Sequence, residues 1–391
     1  MTSRYKNLVV VGGSYVGTNV AQQLAARFHD RFRVVLIEKN SHFHHLFAFP
    51  RFAVTNDAET QKAFIPYLPG TFAAAPAGAG TVLQARAVDV TSSSVKLDRT
   101  VSLDNQQLDA IPYAFLVLAT GTDAVPPSRM PAEGKQRGVE YLRRHAQDVA
   151  LRSKIVIVGG GAVGVQMATD LKDLYPDKSV TIVHSRPHLM NRFDVALDKI
   201  VQDRCAELGV RLKLGMRVKL PRADYYPTDG RLFDVECEDG TQIPADFAIV
   251  ANGLAPQSGI LRSLTPASID ADGYVRVLGT LQIRDPKHPN IFAVGDIAAT
   301  GAAKAARPGA KQAETVVNNI DHILKGEVLE EYDASDPPAI HLTLGIKKNV
   351  IFRNPVLGSS EHFTKDRDDG ALDMNIDSVW TRRGGGKDSS L

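Results

Sequence analysis

Cysteine is scarce in this chain, which has only Cys205 and Cys237 among its 391 residues. Two cysteines cannot build the disulfide framework of a small secreted domain, or a zinc site with four cysteine ligands. The scarcity therefore indicates a reducing compartment, and we expect a cytoplasmic location. At roughly 150 residues per domain, the length predicts two to three domains.

Long apolar runs and an excess of charge of one sign are missing as well. No run approaches the roughly 18 apolar residues that span a bilayer, so we predict no transmembrane segment. Lys and Arg together number 46 and Asp and Glu 44, which gives a net charge of +2. This balance excludes a strongly basic surface, and we predict no nucleic-acid partner. Peripheral membrane contact and the oligomeric state stay open.

Targeting signals are weak or missing at both ends. The first residues lead directly into a strand without the apolar core of a signal peptide, and Thr2 stands where N-myristoylation needs glycine. The chain ends Ser389-Ser390-Leu391, which resembles a peroxisomal tail with its middle lysine replaced. A frayed polar terminus is the alternative interpretation.

Two stretches of the sequence share one pattern, in which a short apolar strand, a glycine-rich turn, a helix and a second strand follow each other. The first stretch runs from Lys6 to Glu38 and the second from Lys154 to Val183. The periodicity and the glycines predict two βαβ units. Their separation indicates duplication of a whole domain rather than a short repeat.

The first glycine turn has Gly12, Ser14 and Gly17 at the three positions where a dinucleotide-binding turn prefers glycine. Serine still fits at the middle position, with some loss of room for a pyrophosphate. Glu38 ends the following strand, where a carboxylate can accept hydrogen bonds from ribose hydroxyls. The alternative is an ordinary strand–helix turn with a surface glutamate.

The second glycine turn is complete, with Gly159, Gly161 and Gly164. Free helix N–H groups and the helix dipole favour a phosphate at such a turn. The strand that follows ends at His184 and not at the acidic residue usual in an NAD site, and Arg186 can pair with a 2′-phosphate. The pattern favours NADPH over NADH, or tolerance of both. A solvated Arg186 is the alternative.

Three more apolar strands end in short polar turns. Two of these turns are Ala119-Thr120-Gly121 and Ala251-Asn252-Gly253. The third is Gly295-Asp296, which places a carboxylate at the edge of a parallel sheet, where it can accept a hydrogen bond from a polyol. A helix is predicted from about Gly309 to Leu324, and its N-terminus can stabilise negative charge on a reduced ring.

These five motifs, in this order over residues 6 to 325, resemble the two-dinucleotide-domain flavoproteins of the glutathione-reductase-like superfamily. Within the superfamily the chain is most similar to the apoptosis-inducing-factor-like, ferroptosis-suppressor-like NAD(P)H:quinone oxidoreductases. The specific similarities are Phe43-His44-His45, His184-Ser185, Lys311-Gln312-Ala313, Asn318-Asn319-Ile320 and Trp380.

The resemblance implies an FAD-dependent enzyme in which hydride passes from NADPH or NADH to FAD, and electrons then pass to a small acceptor, typically a quinone. On this basis we predict catalytic roles for His44, His45, Gln166, Lys311 and Gln312. We predict cofactor contacts from Gly12, Gly13, Ser14, Gly17, Glu38, Lys39, Ala119, Thr120, Gly121, Gly159, Gly161, Gly164, Arg186, Gly253, Gly295 and Asp296.

The sequence departs from the family pattern in three respects. Relatives with a redox-active disulfide carry two nearby cysteines beside the flavin, and this chain has none there, so we exclude a dithiol mechanism. Gln166 stands where the family often has glutamate, and it can hydrogen-bond a carboxamide but cannot relay a proton. Neither of the membrane anchors common in the relatives, an N-terminal lipid or an amphipathic C-terminal helix, is evident.

His42, His44 and His45 form a compact cluster. No nearby Cys, Asp or Glu completes a set of metal ligands, so we predict no metal. The family similarity implies a loop that lines the flavin edge, and an ordinary polar surface loop is the alternative. Trp380, the only tryptophan, either walls the acceptor pocket or packs the C-terminal domain.

The predicted fold class is α/β, with two Rossmann-like FAD/NAD(P)-binding units and a small C-terminal α+β domain. We predict a split FAD-binding domain (residues 1–125 plus 254–330), an NAD(P)H-binding domain (126–253), a C-terminal domain (331–383) and a disordered tail (384–391). Two other functions stay open. They are a flavoenzyme that acts directly on a small metabolite with a weakened nicotinamide site, and a non-enzymatic redox-sensing flavoprotein.

Overall fold

The computed structural model describes residues 6–56, 59–221 and 226–389. The N-terminal residues 1–5 and the last two residues of the Ser-Ser-Leu tail lie outside this range. The two targeting interpretations based on those ends therefore stay predictions.

The N-terminal third of the chain begins with the predicted strand–turn–helix–strand unit. Its strands form because consecutive apolar residues can be buried on both faces of a parallel sheet. The elements are β1 (Lys6–Val11), α1 (Tyr15–Phe28), β2 (Phe32–Glu38), β3 (Phe43–His44), α2 (Phe49–Phe52), β4 (Phe64–Ile65), β5 (Gly80–Gln84), β6 (Ala87–Val90), β7 (Ser94–Leu103), β8 (Gln106–Pro112), β9 (Phe115–Leu118) and β10 (Thr122–Asp123).

The middle of the chain repeats this unit and adds an antiparallel hairpin. The elements are α3 (Lys135–Ala150), β11 (Lys154–Val158), α4 (Ala162–Leu174), β12 (Ser179–His184), α5 (Val195–Leu208), β13 (Arg211–Leu214), β14 (Phe233–Glu236), β15 (Gln242–Ala245) and β16 (Phe247–Val250).

The last third contains one long helix and a small antiparallel sheet. The elements are β17 (Ala255–Pro256), β18 (Val275–Arg276), β19 (Ile291–Ala293), β20 (Ala298–Ala299), α6 (Ala306–Lys325), β21 (Ala339–Thr343), β22 (Asn349–Arg353), β23 (Phe363–Arg367) and α7 (Ile376–Arg382). Short 3₁₀ turns cover Thr60–Ala63, Gly70–Phe72, Gly259–Leu261, Pro266–Ser268 and Gly295–Ile297.

Two parallel sheets organise these elements. The first has the order β19-β9-β1-β2-β5 and the second the order β13-β12-β11-β16. The chain leaves the first sheet after β9 and returns to it at β19, and the two connecting segments pair as an antiparallel ribbon of β10 and β17. The predicted α/β class with two Rossmann-like units is confirmed. Near the C-terminus β21, β22 and β23 form the small antiparallel sheet.

Helix α6 begins at Ala306, a few residues before the predicted start at Gly309. Pro308 falls in its first turn, where a missing N–H costs no hydrogen bond. Gly309 then allows α6 to lie directly on α1, since a Cβ at this position would overlap the side chain of Val16. This contact brings the N-termini of the two helices together above the first sheet.

None of the helices in the described ranges combines the length and the apolar character needed to cross a bilayer. The core lies mainly between the two parallel sheets and the helices that cover them. A second apolar cluster lies between the first sheet and the antiparallel sheet of β6, β7 and β8.

Candidate active site

The first glycine turn connects β1 to α1 in a conformation that needs glycine. Gly12 has a φ of +103°, and a Cβ there would overlap the carbonyl oxygen of Ala119 at the end of β9. A Cβ at Gly17 would overlap the carbonyl oxygen of Gly12. Both glycines therefore allow β1, β9 and α1 to approach closely, which leaves the N-terminus of α1 at the edge of the sheet.

The backbone conformation and the free space at the middle position of the turn explain why serine is tolerated there. Ser14 precedes the first residue of α1 with a φ of −82°, which any residue can adopt. At the equivalent Gly161 in the second unit, an added Cβ would meet no atom within 4 Å. The space at this position therefore lies outside the protein's own packing, where a phosphate can accept hydrogen bonds from helix N–H groups.

Glu38 fixes the first turn from the neighbouring strand. Its Oε2 accepts a hydrogen bond from the Gly13 N–H at 2.5 Å and its Oε1 accepts one from the Asn40 N–H at 2.9 Å. Burial raises the pKa of this carboxyl.

Tyr67 donates its phenol hydrogen to the Gly13 carbonyl at 2.9 Å. Sequence reasoning missed Tyr67, since it belongs to no motif. Lys39, next to Glu38, accepts through its carbonyl oxygen from Gln84 at 3.4 Å.

The second turn repeats the geometry of the first. Gly159 has a φ of +124°, and a Cβ at Gly164 would overlap the carbonyl oxygen of Gly159. The Gly160 N–H donates to Nδ1 of His184 at 3.1 Å. His184 therefore occupies the position in the second unit that Glu38 occupies in the first. Burial lowers its pKa, so the ring is neutral.

Arg186 lies two residues beyond His184 and is exposed at the surface. No ion pair involves it within the described ranges. The structure therefore places a free cation and a neutral ring where many nucleotide sites have a carboxylate.

The two predicted histidines are buried, which rules out an exposed polar loop at this position. The ring of His44 packs against Phe49 and Phe64, its Nε2 has no partner among the described atoms, and burial lowers its pKa to about 3. His45 Nδ1 lies 2.9 Å from the Tyr15 hydroxyl, and burial together with nearby Arg383 lowers its pKa to about 4. Both rings are neutral near pH 7.

Asp296 follows β19 at the same edge of the first sheet. The Gly295 N–H donates to Oε1 of Gln312 at 2.7 Å, so Gln312 holds the turn from α6. Burial raises the pKa of Asp296, while the charges of Lys304 and Arg192 oppose this effect. No hydrogen bond to its carboxylate is found within the described residues. Arg192 follows β12, so a charge from the second unit acts on Asp296.

The Ala-Thr-Gly turn lies where the chain passes from the first unit to the second. The Thr120 hydroxyl donates to the Gln257 carbonyl at 2.7 Å, and Gly121 has a φ of +63°. These contacts hold the two connecting segments together. Gly253 has a φ of +77°, and an added Cβ would meet no atom within 4 Å.

Two predicted catalytic residues contact other parts of the chain through their side chains. Lys311 is on the exposed side of α6, where it pairs with Asp336. Nε2 of Gln166, on α4, contacts Sδ of Met374 at 3.7 Å in the C-terminal region. The helix period explains the difference between neighbours, because Gln312 points inward when Lys311 points outward.

Cys205 and Cys237 are both buried and free. Cys205 is on α5 and Cys237 follows β14, so both belong to the middle third of the chain. They are not positioned as a redox-active disulfide. Within the described ranges no group of three His, Cys, Asp or Glu side chains could hold a metal ion.

Two parallel sheets, each with a glycine turn at its carboxyl edge, together with an acidic turn after the last strand of the first sheet, define a flavoprotein with two dinucleotide-binding units. The chain belongs to the pyridine nucleotide-disulphide oxidoreductase family, whose sequence profile matches residues 6–322. It is an FAD-dependent oxidoreductase without a redox-active disulfide, and the predicted resemblance is confirmed.

Two relatives and one solved structure are similar to this chain over most of its length. Fe-regulated protein 8 of Mycosarcoma maydis is 34% identical over 98% of this chain and 96% of its own length. Ferroptosis suppressor protein 1 of Mus musculus is 30% identical over 88% of this chain and 87% of its own. The sulfide:quinone oxidoreductase of Aquifex aeolicus has the same fold, with a TM-score of 0.75, 18% identity and coverage of 97% and 92%.

Proposed function

We propose that this protein transfers hydride from NADPH or NADH to FAD, and then passes electrons to a quinone or a similar small acceptor. In this proposal residues 1–125 and 254–330 hold FAD, and residues 126–253 hold the nicotinamide dinucleotide. The observation that carries it is the pair of equivalent glycine turns, each at the carboxyl edge of its own parallel sheet.

The residues of the first unit fit FAD. The open N-terminus of α1 suits a pyrophosphate, and Glu38 suits the adenosine ribose. Asp296 has a carboxylate free to accept from the ribityl chain, and the buried Nε2 of His44 has no partner among the described atoms. FAD, when bound, would accept the hydride and pass its electrons on to the acceptor. The protein orients the two cofactors and excludes water.

The second unit supports a preference for NADPH. His184 accepts from Gly160 as a neutral ring, so it does not repel a 2′-phosphate, and the exposed Arg186 can pair with that phosphate. Both cysteines lie away from the first unit. We therefore propose that electrons leave FAD directly for the acceptor and not through a dithiol.

An anaerobic titration of the purified full-length chain tests the proposal. We expect a yellow protein whose flavin absorption is bleached by NADPH, and more weakly by NADH, and is restored by a water-soluble quinone. A flavin that neither nicotinamide bleaches would contradict the hydride step. A flavin that is bleached but not restored by quinone would contradict the acceptor alone.

A further inference from the structure

A cavity of about 190 Å³ lies between α1, the 3₁₀ turn Gly70–Phe72 and the C-terminal segment. Its polar lining includes Gln22, Thr71, Arg382 and Arg383, and no Asp or Glu lines it. The lining residues therefore bring an amide, three hydroxyls and two guanidinium groups around one small volume. This set of groups is rich in hydrogen-bond donors and in positive charge.

Arg383 is held in the cavity by packing. Its guanidinium carbon lies 3.6 Å from the ring centroid of Phe43 and 5.3 Å from that of Tyr15. A Cβ at Gly70 would overlap the carbonyl oxygen of Arg383, so this glycine lets the C-terminal segment come close. These contacts partly desolvate the Arg383 charge, and this burial lowers its pKa.

Neither arginine has a carboxylate partner within the described ranges. Asp377, on the same helix as Arg382, forms an ion pair with Lys62 instead, with 2.5 Å between Oδ1 and Nζ. A partly buried cation without a counter-ion is costly, and an anionic ligand would remove that cost. Guanidinium groups match phosphate oxygens in bidentate geometry, so a phosphate group suits this pair best.

The cavity lies next to the dinucleotide turn but does not include its glycines, and Tyr67, which lines the cavity, donates to the Gly13 carbonyl. Thr18 and Gln22 line it from the first and second turns of α1, whereas a cofactor phosphate would lie at the N-terminus of that helix. Two exposed apolar side chains flank this region, Leu68 next to the lining residue Tyr67, and Phe47 against Tyr15. They fit a phosphate carried on a lipid headgroup as well as a free phosphate.

We propose that this cavity is a second anion site, which binds a phosphate group through Arg382 and Arg383, outside both dinucleotide sites. The phosphate is either free or part of an anionic lipid headgroup. The site goes beyond the proposed hydride transfer and does not depend on it.

Calorimetric titration of the FAD-loaded full chain with inorganic phosphate, at constant ionic strength, tests the proposal. We expect Arg383→Gln to weaken phosphate binding by about tenfold or more, because it removes a charge-assisted contact. Arg382→Gln, at an exposed side chain, is the second variant in case the first does not fold. Arg31→Gln is the matched control, since Arg31 also lies over a ring, that of Phe32 at 5.8 Å, but away from the cavity.

Sedimentation with phosphatidylcholine vesicles, with and without phosphatidic acid, distinguishes the two sources of phosphate. Binding of inorganic phosphate that is lost in Arg383→Gln or Arg382→Gln but kept in Arg31→Gln supports a free-anion site. Binding only to vesicles with phosphatidic acid, lost in the same variants, supports a headgroup site. If neither probe binds, or if Arg31→Gln causes the same loss, the proposal is overturned.

Discussion

His184 and Glu38 perform the same structural task with different chemistry. Each follows its glycine turn at the end of the next strand, and each accepts a hydrogen bond from the second glycine of that turn. A carboxylate and a neutral imidazole are both acceptors, but only the carboxylate repels a phosphate. The residue at this position can therefore set nucleotide preference without disturbing the turn.

We predict that His184→Glu shifts the preference from NADPH toward NADH. A carboxylate at this position can still accept from Gly160, but it repels the 2′-phosphate at close range. The ratio of kcat/KM for NADPH to that for NADH should fall by about tenfold or more, since like charges in contact cost several kcal/mol. Steady-state kinetics with both nucleotides measures the ratio.

His184→Gln is the control for this variant, because it adds an acceptor without charge. It should keep the original ratio. Equal ratios for the wild type and His184→Glu would show that the residue at position 184 does not discriminate between NADPH and NADH.

His44 is a base that the fold keeps uncharged. Its pKa falls to about 3 because the ring is buried, whereas an unfolded histidine has a pKa of about 6.5. As the pH falls below about 6.5, the unfolded chain takes up the proton before the folded chain does. Stability supplied by this site is therefore present above that pH and is lost during acidification toward about pH 3.

We predict that His44→Phe reduces the loss of stability on acidification. Phenylalanine suits a site lined by Phe49 and Phe64 and does not titrate. Between about pH 7 and pH 5 the wild type should lose roughly 2 kcal/mol more than the variant. Urea unfolding at both pH values, followed by far-ultraviolet circular dichroism, measures the difference. Equal losses in the two proteins would show that His44 does not stay neutral when folded.

The proposed function assigns one cofactor to each unit, and this assignment can be tested separately at each glycine turn. A Cβ at Gly17 or at Gly164 would overlap the carbonyl oxygen of the first glycine in its own turn. Alanine at either position therefore pushes the helix away from its strand. The two substitutions are matched in chemistry and differ only in the unit that they disturb.

We predict that Gly17→Ala yields a protein without yellow colour. Gly164→Ala should keep its FAD, but the concentration of nicotinamide dinucleotide needed to reduce half of that FAD should rise at least about tenfold. The loss follows from moving the helix N–H groups away from a phosphate. Absorption spectra and anaerobic titration give the two readouts. Gly134→Ala is the control, because an added Cβ there meets no atom within 4 Å. Stoichiometric FAD in Gly17→Ala would refute the assignment.

A buried ion pair connects three regions of the molecule. Nε of Arg51, on α2, lies 2.6 Å from Oδ2 of Asp170, on α4, and both side chains are almost fully buried. Arg51 also donates to the carbonyl oxygens of Ala371 and Gly345, which flank the antiparallel sheet of the C-terminal region. Burial raises the pKa of Asp170 to about 6, although Arg51 opposes this shift. The pair therefore links α2 and α4 to the C-terminal region.

We predict that Arg51→Met lowers the free energy of unfolding by about 3–5 kcal/mol, because it leaves Asp170 buried without a partner. The double variant Arg51→Met with Asp170→Leu should recover most of the loss, since no unpaired charge remains. Chemical unfolding followed by tryptophan fluorescence measures both variants. Lys199→Ala, which breaks an exposed pair with Asp203, is the control, and it should cost under about 1 kcal/mol. A double variant as unstable as the single one would contradict this explanation.

Much of the fold could be predicted because the βαβ units leave local patterns in the sequence. The bounds of α1 and α4 follow from the glycines before them and from their apolar periodicity, and the strand before each turn is a continuous apolar run. Helix α7 could not be predicted in this way, since Ile376–Arg382 is too short to establish a period. Trp380 on that helix donates to the Gly386 carbonyl at 2.8 Å and packs under Lys135.

The sequence by itself determined the two glycine turns, the parallel units and the place of Glu38, His184 and Asp296 at strand ends. These features depend on residues close together in the chain, where spacing fixes geometry. Only the tertiary structure decided that Tyr67 supports the first turn and that Arg51 reaches Asp170. Those partners lie 54 and 119 residues away in the chain, and such contacts depend on how separate elements pack and not on any local pattern.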